Sequence, residues 1–191
     1  MENLFLVCLV PPPAIVEDID EIRAFISAKF NVHESLKRPA HITLYNPVKV
    51  TSSMQEQQFF KALEEATYSE NFKQIVKNFS SFPEHTFYLD VEQNAGIMNL
   101  HAQIKTQLKP LKLLTSKDNF KFTPHLTLAF KDVKPPTYYA IMDEFKDRKF
   151  KREFTVSGFS VYKHIDKKWR PFKEIAFKLP SEKPKPLRLF E

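Results

Sequence analysis

The chain carries one four-residue pattern twice: His41-Ile42-Thr43-Leu44 and His125-Leu126-Thr127-Leu128. Each copy closely follows a proline, Pro39 or Pro124. An extended strand turns alternate side chains to the same face. His41 and Thr43 then share one face, with Ile42 and Leu44 on the other. His125 and Thr127 likewise lie opposite Leu126 and Leu128. Each strand would feed a core with its aliphatic side and present an imidazole beside a hydroxyl on the other. Two such strands brought together would place two imidazoles and two hydroxyls around one pocket. That set suits acid–base chemistry on a phosphate, because imidazole titrates near neutral pH. The competing reading is of two ordinary half-buried strands with polar outer faces.

The surroundings of the motif also repeat. Residues 4–10 form a continuous apolar run, read as a central strand. Pro11-Pro12-Pro13 break it and can open a helix, in which Ile15, Ile19, Ile22 and Ile26 recur at helical spacing. The first motif strand follows over 41–45, then a helix carrying Met54, Phe59, Leu63 and Ala66. Residues 72–82 read as a strand closed by Pro83, although Phe72, Ile75, Val76 and Phe79 also fit a helix. A strand over 86–91 restarts the series. A helix with Ile97, Leu100, Ile104 and Leu108 follows, with Asn94 as its N-cap. The second motif strand runs over 125–130. Pro135-Pro136 open a helix bearing Tyr138, Ile141, Met142 and Phe145. A long strand over 150–162 changes apolar phase near Gly158, which predicts a bulge. The last strand spans 172–179.

The order strand–helix–motif strand–helix–strand therefore occurs twice. The interval from Phe5 to His41 nearly matches that from Phe87 to His125. This predicts an α+β fold of two pseudosymmetric lobes around a central cleft that carries the two motif strands. Each lobe is a mainly antiparallel sheet with flanking helices. Residues 1–180 read as one bilobal domain and 181–191 as an extended, proline- and charge-rich C-terminal tail.

Composition removes several classes of function. With 2 glycines in 191 residues, no glycine-rich phosphate loop is present, so side chains must hold any phosphate. The formal net charge of +6 favours anionic partners such as nucleotides or RNA. Cys8, the single cysteine, lies in an apolar run; it can form no internal disulfide, which fits a reducing, cytoplasmic setting. The apolar run at 4–10 is short and lacks a leading positive charge, so it reads as a buried strand rather than a signal peptide. No stretch is long enough to span a membrane.

The segments Arg38-Pro39-Ala40-His41-Ile42-Thr43-Leu44 and Phe122-Thr123-Pro124-His125-Leu126-Thr127-Leu128 resemble the paired motifs of the two-histidine (2H) phosphoesterase superfamily. The chain looks most like its bacterial branch, the 2′-5′ RNA ligase-like or RNA 2′,3′-cyclic phosphodiesterase proteins. Outside the motifs the likeness lies in the order of elements more than in identity. Lys121, where relatives often have arginine, and the Lys/Pro tail are departures. The resemblance implies metal-free chemistry, without a cofactor, on a 2′,3′-cyclic phosphate of RNA or a nucleotide, or on a 2′-5′ linkage.

Opening a cyclic phosphodiester with water needs a base for the water and an acid for the leaving oxygen. His41 and His125 are the expected pair, with their order left open. Thr43 and Thr127 are expected to donate to non-bridging phosphate oxygens. Arg38, Tyr45, Lys121 and Trp169 are candidate substrate-binding residues: cations for phosphates, rings for a base. Trp169 is the better stacking candidate, and Phe130 is expected in the core. His33, His85, His101 and His164 attract no catalytic role. Three alternatives remain: a non-catalytic nucleotide- or RNA-binding module of the same fold, a metal-dependent hydrolase, and the reverse, ligating reaction. The metal reading is the poorer fit, since zinc sites usually need three or four His, Cys or carboxylate ligands and no HxH, HExxH or CxxC is present.

Overall fold

The computed structural model describes residues 2–115 and 121–183. Its strands are β1 (Asn3–Leu9), β2 (Ile42–Val50), β3 (Phe72–Phe82), β4 (Thr86–Val91), β5 (Leu114–Thr115), β6 (His125–Phe130), β7 (Lys151–Val156), β8 (Gly158–Ile165) and β9 (Lys168–Ala176). The helices are α1 (Pro13–Phe30), α2 (Ser53–Glu65), α3 (Ala95–Leu108) and α4 (Pro135–Phe145). Their boundaries follow local chemistry. Pro13 and Pro135 occupy the first turns of α1 and α4, where a missing N–H costs nothing. Ser52 accepts from the Gln55 N–H, and Asn94 from the Ile97 N–H, capping α2 and α3. Asn31 ends α1 in the left-handed region at φ 56°, its N–H returning to the Ser27 carbonyl.

One sheet contains all of these strands, in the order β7-β3-β4-β6-β2-β1-β8-β9, with β5 paired beside β2. The named strands pair antiparallel throughout. At its centre β2 meets β6 through the pair Ile42↔Leu126, both fully buried. Outward from that point the sheet reads β2-β1-β8-β9 on one side and β6-β4-β3-β7 on the other. The expected pseudosymmetric lobes are therefore the two halves of one continuous sheet.

The lobes are not consecutive halves of the chain, as the repeated order suggested. β3 leaves the first series and pairs with β4 and β7 in the second lobe. The helices cross over too. α1, which follows β1, packs against β6 and α4, with Phe25 and Phe145 at 6.0 Å between ring centroids. α3, which follows β4, packs against β2 and α2. Each lobe thus depends on a helix inserted from the other series. α2 stays at home, its Phe59 stacked on Phe5 at 5.4 Å.

Two strand expectations change. The predicted bulged strand over 150–162 is two strands, β7 in the second lobe and β8 in the first, separated at Ser157. The phase slip at Gly158 marks a crossing between lobes. A Cβ at Gly158 would lie 2.4 Å from the Ile175 carbonyl oxygen, so glycine permits β9 to approach there. The last strand begins at Lys168, not 172. It is joined to β8 through Asp166 and Lys167, at φ 50° and 62°, a two-residue hairpin turn. Of the tail expected over 181–191, residues 181–182 complete the 3₁₀ turn Pro180–Glu182, and 184–191 lie outside the described residues. Among the described residues, no helix is long and apolar enough to cross a membrane.

Candidate active site

The central strand pair builds the site. Around the antiparallel pair Ile42↔Leu126, register sets His41 across from Thr127 and Thr43 across from His125. Ile42, Leu44, Leu126 and Leu128 are buried at the helix-covered core. The alternate side chains, His41, Thr43, His125 and Thr127, line a cleft of about 840 Å³ on the other face. The period of two thus converts two sequence motifs into one four-group site.

Each imidazole is fixed in the same way. His41 Nδ1 bonds the Pro39 carbonyl at 2.7 Å, and His125 Nδ1 bonds the Thr123 carbonyl at 2.8 Å. A carbonyl only accepts, so each Nδ1 carries a proton and donates it. With Nδ1 so engaged, Nε2 is the ring nitrogen of each that can take or give a proton. The backbone bond two residues back acts as the orienting partner in both copies.

The environments differ. Burial pushes the His41 imidazole down to about 4, with Arg38, Arg23 and His125 repelling its charged form and the Pro39 carbonyl opposing them. His125 is also lowered by burial, against the pull of the Thr123 carbonyl. Its neighbours are rings: Phe82 meets it edge-on at 5.0 Å and Tyr88 lies at 5.1 Å.

Arg38, Tyr45 and Lys121 also line the cleft. The Arg38 guanidinium lies over the Phe130 ring at 5.0 Å. Phe130, expected in the core, is half-buried and forms part of the cleft wall, because a bulge between Thr127 and Ala129 shifts the phase of β6 and turns residue 130 to the His125–Thr127 side. Trp169 does not reach this cleft. It pairs across the β8–β9 hairpin with His164 and lines an adjacent groove instead. The longer β9 places it within a strand at the sheet's edge rather than in a turn over the histidines.

Several cleft residues escaped the sequence reading. Arg23 is 3% exposed; it bonds Asp20 and the Arg38 carbonyl, each at 2.6 Å, and its Nε has no hydrogen-bond partner among the described residues. Its signal was present, since Ile15, Ile19, Arg23 and Ile26 form one stripe of α1 and a charge on that stripe is exceptional. His101 stacks flat on Phe122, 3.8 Å between centroids and 3° between planes, and its Nδ1 donates to the Leu44 carbonyl. Lys105, one turn on, lines the same wall. That α3 covers the first lobe could not be read from periodicity, so neither could its cleft-facing flank. His85 also lines the cleft rim.

Solved structures share this architecture. The chain is similar to Escherichia coli LigT complexed with 3′-AMP, at 18% identity and TM-score 0.66, covering 93% of this chain and 99% of that one. It is similar to TT0787 of Thermus thermophilus, at 14% identity and TM-score 0.68, covering 93% and 98%. A third, a crystal structure of a phosphoesterase, has 19% identity and TM-score 0.68, covering 93% and 99%. No curated protein sequence matches the chain. The family model for the 2′-5′ RNA ligase superfamily matches residues 11–168, a span that holds both motifs, and the chain belongs to that superfamily of two-histidine phosphoesterases.

Proposed function

We propose that this protein is a metal-independent phosphodiesterase that hydrolyses 2′,3′-cyclic phosphates of RNA ends or nucleotides. The observation that carries the reading is the pair of imidazoles, each with Nδ1 tied to a carbonyl, set beside two threonines in one cleft. His41 acts as the base, because burial and the nearby guanidiniums keep it neutral. His125, packed among the rings of Phe82 and Tyr88, acts as the acid. Water loses a proton to His41 Nε2 and attacks phosphorus. The ribose oxygen leaves with a proton from His125 Nε2. Thr43 and Thr127 donate to the non-bridging oxygens as negative charge grows.

Two further facts support the substrate class. E. coli LigT, of similar fold, has been solved with 3′-AMP, ATP and NADP+, all nucleotides. The chain is cationic, and Arg38, Lys105 and Lys121 reach the cleft. Action on 2′-5′ linkages uses the same groups on the same bond type. Among the described residues, no three His, Cys, Asp or Glu side chains gather as a metal site would require. Buried Cys8 fits a reducing, cytoplasmic setting.

The test is a panel of nucleoside 2′,3′-cyclic phosphates and a short RNA with a 2′,3′-cyclic end, assayed in chelator. Turnover to a monoester supports the reading, and the product shows which oxygen leaves. Nucleotide binding without turnover would move the assignment to a binding module, and turnover abolished by chelator would move it to a metal enzyme.

A further inference from the structure

A second groove, of about 470 Å³, adjoins the cleft and shares Arg23, Arg38 and Pro39 with it. Tyr162 and Trp169 supply aromatic surface there, and Arg38 and Lys168 supply positive charge, while Lys37 is paired with Glu34. Trp169 is half-buried and packs on the cluster of Leu6, Cys8 and Tyr162, with the His164 ring at 5.2 Å. It is therefore a rigid indole at the mouth of a cationic groove. Among the described residues the one carboxylate in the groove wall, Asp20, is already paired with Arg23 at 2.6 Å. Arg38 stands on the ridge between the groove and the histidines.

The geometry points to this groove as the seat of the nucleotide that precedes the reacting one, so that the substrate is an RNA 3′ end. The inference rests on the phosphodiesterase reading and extends it. An aromatic platform beside cations is the arrangement that holds single-stranded nucleic acid, by base stacking and phosphate neutralisation. The groove is large enough for one nucleotide and too small for a second protein's interface. Arg38, shared by both sites, is placed to meet the phosphate that links the two nucleotides.

Trp169 is the one tryptophan of the chain, so its emission reports on the groove without substitution. The experiment titrates the protein with a ribonucleoside 3′-monophosphate and with a dinucleotide ending in a 3′-phosphate. The dinucleotide should quench the emission and bind tighter than the mononucleotide by roughly 5- to 150-fold, the range that stacking of one base supplies. The mononucleotide should leave the emission unchanged. A dinucleotide that leaves the emission unchanged, or binds no tighter, overturns the inference. In turnover, preference for a dinucleotide over a mononucleotide cyclic phosphate should collapse in Trp169→Ala and persist in Trp169→Phe. Hydrolysis of cyclic mononucleotides with no preference for the dinucleotide would overturn the groove while leaving the phosphodiesterase reading intact. Quenching and tight dinucleotide binding without turnover would do the reverse.

Discussion

The first motif strand meets cations and the second meets rings. Arg38 and Arg23 bear on His41, whereas Phe82 and Tyr88 close on His125. The strand geometry, the orienting carbonyl and the threonine partner are common to both. What differs comes from the elements around each strand: α1 brings Arg23 to the first, and β3 and β4 bring Phe82 and Tyr88 to the second. A repeated motif thus sets what two groups are, while the surrounding fold sets what each does. Guanidiniums beside His41 disfavour its protonated form; an aromatic surround adds no such repulsion at His125.

The comparison can be broken most severely at the histidines themselves. His41→Ala and His125→Ala should each lose about 10²–10⁴ of turnover, with unchanged circular dichroism. Loss in only one would mean that the two strands share a shape and not a reaction. At the next level, Thr43→Val and Thr127→Val should each lower kcat by about 10², the scale of one donor to a developing oxyanion. Equal losses in steady-state kinetics would make the threonines the symmetric part of the site. Losses differing tenfold would extend the asymmetry to them.

Acid stability should also separate the lobes. The unfolded His41 imidazole takes up a proton as pH falls through about 6.5, but the folded one waits until about 4. Stability is therefore full above about 6.5 and declines between those values, by up to roughly 3 kcal/mol from this residue. Urea midpoints from pH 7 to 4 should show the decline, and His41→Gln should flatten it. A His41→Gln profile as steep as wild type would show that His41 is not held neutral by burial.

The smallest expected effect is on the pH profile. The kcat/KM bell should rise with deprotonation of His41 above about 4 and fall with loss of the His125 proton, which burial places below 6.5. Its maximum is thus expected on the acid side of neutrality. Removing a guanidinium in Arg38→Gln should move the acidic limb to higher pH and leave the alkaline limb in place. Movement of the alkaline limb instead would exchange the roles of the two histidines.

The motif strands, helix caps and helix faces were legible because each depends on near neighbours: Asn94 to Ile97, Pro135 to its own helix, His41 to Thr43. The exchange of α1 and α3 between lobes was not legible, since an apolar stripe names a face and not its partner. The same limit hid His101, whose place in the cleft depends on where α3 docks. The slip at Gly158 was visible but was read as local. Only pairing with β1 and β3 shows that the chain changes lobes there. Trp169 was expected among the residues that bind substrate beside the histidines but lies in the adjacent groove, because the strand that carries it starts earlier than its apolar pattern.

The most direct measurement compares hydrolysis of a nucleoside 2′,3′-cyclic phosphate by wild type, His41→Ala, His125→Ala and the double variant, all in chelator. A base and an acid that serve one displacement fail together, so the double variant should be little slower than either single variant. Near-full turnover in a single variant, or losses that multiply in the double variant, would contradict a paired mechanism.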